Sequence, residues 1–171
     1  MSASLYPRSS NPCVSCGKKL ASSIPSGMKA LADYVHARGL RFGLYSDAGE
    51  LTCATRPGSK GREALDARTW AEWGVDYLKY DWCHTDGMDA REAYGRMSRA
   101  LRATGRPIVF SICEWGSTKP WTWAAGGGQL WRATGDIQDC WDCGTEWGGM
   151  GIVHVLDSVA ELHPFSGPGR W

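Results

Sequence analysis

One short run of residues constrains the fold of this chain more than any other. Val75 to Tyr80 is largely apolar and aromatic, and its length and composition predict a buried β-strand. The pattern changes abruptly at Asp81, and polar residues follow at 84–87. A carboxylate at the end of a buried parallel strand occupies the position that barrel enzymes use for chemistry. An isolated strand-end aspartate more often caps its loop, so the rest of the chain must decide between the two roles.

Helical and strand patterns alternate along the chain. Residues 1–24 are rich in serine and proline and predict an irregular segment. The first helix is expected to lie between Ser26, as N-cap, and Gly39. Apolar periodicity predicts further helices at 63–73, 89–104 and 154–162, and strands at 40–45, 75–80, 107–113 and 129–134.

A charged residue stands at the exit of each predicted strand: Asp47, Asp81, Glu114 and Asp136. Apolar strands separated by helices predict parallel β/α units, whose strand ends meet at one face. A doubly wound sheet is the alternative, but no G-x-G-x-x-G motif or P-loop is present. We therefore predict an α/β fold, a partial (β/α)8 TIM barrel with about four of the eight strands. It is expected to span residues 25–171 as one domain.

The overall composition gives no indication of a nucleic-acid or membrane partner. The net charge is +1, and no apolar run approaches the roughly 20 residues of a membrane span. Residues 1–21 have no apolar core, so we expect no signal peptide in this chain. The 10 tryptophans suit either a packed core or the wall of a sugar-binding pocket.

The cysteines leave open a metal-binding alternative. The chain has 7 cysteines, an odd number, so not all of them can pair within it. Cys13 with Cys16, and Cys140 with Cys143, form two C-x-x-C motifs that could make a four-thiolate zinc site. The gap between them is far longer than the ~15–20 residues of ribbon-type sites. No metal site is therefore predicted, and zinc binding is kept only as an alternative.

The strand ends carry a recognisable pattern of motifs. The chain resembles the α-galactosidases (melibiases) of glycoside hydrolase family 27, especially the plant type. The resemblance covers Ile24 to Asp139 and the last five residues. Its motifs are Pro25–His36, Gly43–Gly49, Tyr77–Cys83, Ser111–Gly116, Trp131–Ile137 and Gly167–Trp171.

The resemblance implies a retaining glycosidase with two catalytic carboxyl groups. Asp81 would be the nucleophile and Asp136 the general acid and then base. A retaining mechanism needs these carboxyl groups ~5–5.5 Å apart. Lys79 lies two residues before Asp81, so both side chains should lie on one face of the strand, where the ammonium helps keep Asp81 ionised. Arg132 has the same parity relative to Asp136 if that segment is extended, although structural ion pairing is the alternative role for both cations.

The resemblance also implies the substrate contacts. Lys79, Glu114 and Arg132 would bind the sugar, Tyr45 would lie close to the nucleophile, and Cys53 and Cys83 would form a disulfide. Relatives that act on N-acetylgalactosamine carry a serine where Glu114 stands, so a glutamate here favours α-galactosides. The implied partner is an α-galactoside, as an oligosaccharide, a galactosylated polymer or a lipid, and no cofactor is implied. The family is secreted, vacuolar or lysosomal, or located in the cell wall.

Two alternatives remain open at this stage. The family's first two strands carry a tryptophan and an aspartate pair that hold galactose hydroxyls, and nothing in this sequence matches them. The chain could therefore be a truncated, non-catalytic remnant of an α-galactosidase. A zinc-binding module is the second alternative.

Overall fold

The computed structural model describes residues 26–145 and 148–170 of the 171-residue chain. Helices and strands alternate through most of this part, as the sequence predicts. The four helices are α1 (Gly27–His36), α2 (Glu63–Trp73), α3 (Ala90–Ala103) and α4 (Ile152–Val159). The four strands are β1 (Gly43–Asp47), β2 (Tyr77–Asp81), β3 (Val109–Ile112) and β4 (Leu130–Trp131). Short 3-10 helices lie at Pro120–Thr122, Ala124–Gly126 and His163–Phe165.

The strands form one sheet in the order β1-β2-β3-β4, and every neighbouring pair is parallel. Each strand therefore joins the next through a crossover, which carries a helix between β1 and β2 and between β2 and β3. This arrangement confirms the prediction of an α/β fold with part of a parallel barrel sheet. Because the strands run in one direction, all of their carboxyl ends lie at the same edge.

The two faces of the sheet carry different side chains. Leu78 and Tyr80 of β2, with Phe110 and Ile112 of β3, are buried in the hydrophobic core. Tyr94 of α3 packs on this face, with its ring 5.7 Å from that of Tyr80. Alternate residues of a strand point to opposite faces, so the residues between these belong to the other face. The candidate site is built on that second face.

Several predicted details differ from the structure: the strand predicted at 40–45 is Gly43–Asp47, and the helix predicted at 154–162 is Ile152–Val159. Ser26 precedes α1, but its side chain makes no capping hydrogen bond. The fourth strand is only Leu130–Trp131; the Arg132 N–H still donates to the Ile112 carbonyl oxygen at 2.9 Å, and the chain leaves the sheet after it. The predicted strand over 129–134 was therefore too long. No helix in the described part of the chain is long and apolar enough to cross a membrane.

A buried carboxylate fixes the opposite end of β2. Asp76 Oδ2 lies 2.6 Å from His36 Nε2 and accepts the Phe42 N–H at 2.9 Å. Its Oδ1 accepts a hydrogen bond from Arg106 Nη2 at 2.7 Å. Burial raises the pKa of Asp76, but these hydrogen bonds and charges outweigh it and hold the pKa below its usual value. Asp76 thus joins α1, β2 and the segment before β3 at the end of the sheet remote from the strand exits.

Candidate active site

Asp81, the predicted nucleophile, ends β2 and is 5% exposed. Its Oδ1 accepts hydrogen bonds from the Trp82 backbone N–H at 3.0 Å and from Trp115 Nε1 at 3.2 Å. The Lys79 ammonium lies 3.7 Å from Oδ2. Both donors and the cation stabilise the negative charge of the carboxylate and limit its rotation.

Lys79 and Tyr45 stand side by side on the same face as Asp81. They are register partners in β1 and β2, and the Lys79 ammonium lies 5.4 Å from the centre of the Tyr45 ring. The Tyr45 hydroxyl donates to Cys53 Sγ at 3.5 Å. Burial, followed by the charges of Asp81 and Asp47, raises the pKa of Tyr45. Tyr45 is therefore a neutral hydrogen-bond donor beside Asp81, as close to the predicted nucleophile as the resemblance implies.

A disulfide joins Cys53 to Cys83, with their Cα atoms 5.1 Å apart. This confirms the expected pair and ties the loop after β1 to the loop after Asp81. The two strand exits also approach closely at Gly49, where a Cβ atom would lie 2.1 Å from the Cys83 carbonyl oxygen. A side chain at this position would push the two loops apart, which explains the glycine.

Asp47 is a second buried carboxylate beside Asp81, and the two residues are register partners. Asp47 Oδ1 accepts the Gly49 N–H at 2.8 Å, and Oδ2 accepts the Cys83 N–H at 3.0 Å. Burial raises the pKa of Asp47 to about 6; these hydrogen bonds oppose the rise and the charge of Asp81 adds to it. The strand pattern of the sequence placed Asp47 at a strand exit but gave it no role. Its position at the end of β1, equivalent to that of Asp81 at the end of β2, could have indicated that it belongs to the site.

Arg132 and Asp136 form a separate pair after β4. Arg132 Nη2 lies 2.6 Å from Asp136 Oδ1, and the Asp136 side chain is 61% exposed. Burial opposes the charge of Arg132, but Asp136 and the nearby Cys113 outweigh it and raise the pKa of Arg132. Cys113 is buried, is not in a disulfide, and its pKa is raised to about 12 by burial and then by Asp81. This neutral thiol is near enough to Asp81 and Arg132 to interact with both.

A cavity of about 660 Å³ opens beside Asp136. Its lining residues also include Arg132, Thr134 and Val155, but Asp81 is not among them. This cavity therefore does not bring the two predicted catalytic carboxyl groups into one cleft. Their separation of ~5–5.5 Å, which retention requires, stays a prediction.

Glu114 and Trp115 follow β3, and they differ sharply in exposure. Glu114 is fully buried; its Oε2 accepts the Thr118 N–H at 2.7 Å, and its Oε1 has no hydrogen-bond partner among the described residues. Burial raises the pKa of Glu114, opposed by the hydrogen bonds from Thr118 and Gly116. Trp115 is 37% exposed and donates to Asp81, although it was predicted only as part of a motif. The side chain of Glu114, which is predicted to contact the sugar, is thus less accessible than the side chain of Trp115.

The turn that presents Trp115 is conformationally demanding. Trp115 has φ +62° and Gly116 has φ +83°, both in the left-handed region. A side chain is uncommon at such a φ, and local strain of this kind concentrates at functional sites. A Cβ on Gly116 would also lie 2.1 Å from the Ala133 carbonyl oxygen. This turn therefore packs directly on the loop that leads to Asp136.

The cysteines do not form the alternative zinc site. Cys140 and Cys143 are joined to each other as a disulfide, so they are not thiolate ligands, and Cys13 and Cys16 lie outside the described residues. Ligand atoms of Asp47, Asp81 and the Cys53–Cys83 pair also lie within 4.8 Å of one another. The two sulfur atoms in that group are bonded together, so they too are unavailable as thiolates.

Comparison with known proteins gives the same family as the motifs. Residues 17–171 match the melibiase family described as alpha galactosidase A. The chain is 52% identical over 167 residues to alpha-galactosidase A of Cellvibrio japonicus, covering 96% of this chain and 41% of that protein. It is 51% identical over 152 residues to alpha-galactosidase 2 of Arabidopsis thaliana, covering 88% of this chain and 36% of the relative. The family match thus includes residues 17–23 and 140–166 in addition to the range Ile24 to Asp139 and the last five residues that the motifs indicated.

Solved structures agree with the fold. Alpha-galactosidase I from Mortierella vinacea superposes with a TM-score of 0.83 at 35% identity, covering 86% of this chain and 41% of that one. A Saccharomyces cerevisiae α-galactosidase solved with raffinose has the same TM-score at 35% identity, covering 88% and 38%. The chain spans about two fifths of the length of these proteins. By motif order, family match and structural similarity, this chain belongs to the melibiase family of α-galactosidases.

Proposed function

We propose that this chain carries the catalytic carboxyl groups of a retaining α-galactosidase, with Asp81 as nucleophile and Asp136 as acid and base. The observation that carries the proposal is the environment of Asp81. Two N–H donors hold its Oδ1, and an ammonium faces its Oδ2. A nucleophilic carboxylate must be ionised and fixed in orientation, and these contacts serve both needs.

The reaction would proceed in two displacements. A carboxylate oxygen of Asp81 attacks the anomeric carbon while Asp136 protonates the departing glycosidic oxygen, which leaves a galactosyl ester on Asp81. Asp136 then removes a proton from water, and the water attacks the anomeric carbon, breaks its bond to the Asp81 oxygen and releases galactose and the free Asp81 carboxylate. Arg132 Nη2, 2.6 Å from Asp136 Oδ1, holds this carboxyl group in position for both steps. The exposed position of Asp136 gives the attacking water access to it, and the proton taken from that water restores the acid for the next cycle.

The substrate side of the proposal rests on Lys79, Tyr45 and Glu114. The first two flank Asp81 and present an ammonium and a neutral hydroxyl to a sugar. The unpartnered Oε1 of Glu114 is a buried acceptor that a hydroxyl group could satisfy, which supports its proposed role at the 2-hydroxyl. Glu114→Ser should therefore raise activity on α-N-acetylgalactosaminides relative to α-galactosides. An unchanged ratio of the two activities would show that Glu114 does not determine specificity at the 2-position of the sugar.

A non-catalytic remnant is the second candidate. It is favoured by the cavity beside Asp136, which Asp81 does not line. Because the chain spans about two fifths of its relatives, the whole reaction is proposed for a complete barrel. The disulfides support folding in an oxidising compartment, as expected for a secreted or vacuolar protein.

Hydrolysis of a nitrophenyl α-galactoside separates the two candidates. We would assay the 171-residue chain and a chimera in which this chain replaces the matching segment of a complete relative, each with Asp81→Asn as the blank. The chimera should hydrolyse the substrate and the isolated chain should be at least ~10⁴-fold slower, because substrate hydroxyls lose their partners. A chimera as inactive as its blank would favour the remnant.

A further inference from the structure

We propose that the Cys140–Cys143 disulfide is a thiol–disulfide exchange site for dithiol reductants, and that its redox state controls the order of the loop carrying Asp136. The two cysteines are three positions apart and bonded to each other. Both are half-buried, whereas Trp141 and Asp142 between them are exposed. This spacing is that of redox-active C-x-x-C motifs, and the site is open to solvent. Only the effect on catalysis rests on the proposed function.

The position of this disulfide beside a helix start favours its reduction. The carbonyl groups of Cys140, Trp141 and Cys143 accept the N–H groups at the start of α4, so the pair lies near the positive end of the helix dipole, which favours a leaving thiolate. The opposing charge of Asp142 is solvated, and it faces His154 Nε2 at 3.5 Å.

The Cys53–Cys83 disulfide lies beside two negative charges instead. Oxygen atoms of Asp47 and Asp81 lie within 4.8 Å of the sulfur atoms of Cys53 and Cys83. Both carboxyl groups are buried, so their charges are weakly screened. They oppose the approach of an attacking thiolate and the formation of a leaving thiolate. A dithiol should therefore reduce Cys140–Cys143 first.

The C-x-x-C ring is anchored to the start of α4 by backbone hydrogen bonds. The N–H groups of residues 151–153 donate to the carbonyl oxygens of Cys143, Cys140 and Trp141 at 2.7, 3.0 and 3.0 Å, respectively. A Cβ on Gly151 would lie 2.7 Å from the Cys143 nitrogen, so the ring and the helix start are in close contact. Opening the ring therefore loosens the segment that begins α4.

The same segment holds the backbone of Asp136. Met150 immediately precedes the anchored residues, and its N–H donates to the Asp136 carbonyl oxygen at 2.8 Å. The Gln138 N–H returns a hydrogen bond to the Met150 carbonyl oxygen at 2.8 Å. These bonds link the disulfide to the proposed acid and base through adjacent residues, so reduction should release the Asp136 loop.

The exchange balances without any further reactant. One thiolate of the dithiol attacks a sulfur of the Cys140–Cys143 bond and displaces the other sulfur as a thiolate. The second thiol of the reductant then attacks the mixed disulfide and displaces the protein sulfur, and the reductant leaves as a cyclic disulfide. Two electrons and two protons pass from the reductant to the two cysteines.

The first test measures which disulfide is reduced. The full chain is equilibrated at pH 7 in buffers of reduced and oxidised dithiothreitol, alkylated, and analysed by peptide mass spectrometry, which separates all cysteine pairs. We expect Cys140–Cys143 to be half-reduced at a ratio of reduced to oxidised dithiothreitol that is at least ~10-fold lower than the ratio needed for Cys53–Cys83. If both disulfides were half-reduced at the same dithiothreitol ratio, or if Cys53–Cys83 were reduced first, the proposal of an exchange site at Cys140–Cys143 would be overturned.

The second test measures the loop by hydrogen exchange at the ratio that reduces only Cys140–Cys143. Peptides covering residues 134–151 should exchange at least ~10-fold faster than in the oxidised chain, while β2 peptides stay unchanged. The double variant Cys140→Ser/Cys143→Ser should exchange like the reduced chain and no longer respond to dithiothreitol. Unchanged exchange in the loop would overturn its control by the disulfide. Neither test uses a sugar, so failure of the hydrolase proposal would leave both results interpretable.

Discussion

Asp47 and Asp81 are register partners at the ends of two adjacent parallel strands, and both carboxyl groups are buried. Burial, and then the charge of Asp81, raise the pKa of Asp47. Asp81 has the Lys79 ammonium beside it, whereas Asp47 is held by the backbone N–H groups of Gly49 and Cys83. The pair thus divides into a proposed nucleophile and a carboxyl group that organises the loops around it.

Asp47 should make stability fall as pH rises through the range from about 4 to about 6. Its folded pKa of about 6 lies above the ordinary value of 3.8, so the folded state binds the proton more tightly. The stability contribution is complete below pH ~4 and is lost above pH ~6, at most roughly 3 kcal/mol. Urea unfolding of the wild type and Asp47→Asn at several pH values should show this fall only in the wild type. Parallel pH profiles would contradict it.

Trp115 should contribute to turnover through its indole N–H. Trp115→Phe keeps an aromatic ring but removes the hydrogen bond to Asp81 Oδ1. Hydrogen bonds to charged groups contribute ~1.5–3 kcal/mol, so kcat in the chimera should fall ~10- to 100-fold. The unfolding midpoint of the variant serves as the control for a purely structural effect. Unchanged kcat would show that Trp82 and Lys79 hold Asp81 without it.

The Cys53–Cys83 disulfide should stabilise the fold by restricting the unfolded chain. It closes a loop with a sequence separation of 30, for which the chain-entropy estimate is about 3–4 kcal/mol. Urea unfolding of the double variant Cys53→Ser/Cys83→Ser under oxidising conditions measures this loss. A loss below ~1 kcal/mol would indicate that the loops are held mainly by Asp47 and the close approach at Gly49.

Asp76 should be the most costly single carboxylate to remove outside the candidate site. Asp76→Asn removes the buried carboxylate that His36 and Arg106 contact; because these two side chains are 31% exposed, the loss should be ~1–3 kcal/mol. Asp33→Asn is the matched control, because Asp33 pairs with Lys29 on the surface of α1 and should cost only ~0.3–0.5 kcal/mol.

The pH dependence of this contribution has the opposite sign to that of Asp47. The folded pKa of Asp76 is lowered, so its stabilisation is present above the ordinary value of 3.8 and is lost as the pH falls through the folded pKa. Similar losses for Asp76→Asn and Asp33→Asn at pH 7 would show that the network is not stabilising.

The sequence predicted the part of the site that local patterning determines. Asp81, Lys79 and Tyr45 follow from strand periodicity and from motifs around β1 and β2, and the structure places them together. The burial of Glu114 could not be predicted, because it depends on a turn with two successive left-handed residues. The bond between Cys140 and Cys143 was also missed, because a C-x-x-C pair suits a metal and a disulfide equally well.

The central claim is that Asp81 is the nucleophile, and a trapped intermediate tests it most directly. We would treat the chimera with a fluorinated galactosyl fluoride that forms the ester but hydrolyses slowly, and then locate the label by peptide mass spectrometry. The account predicts a galactosyl ester on Asp81 and no label in Asp81→Asn. An ester on Asp47 instead, or undiminished turnover by Asp81→Asn, would contradict it.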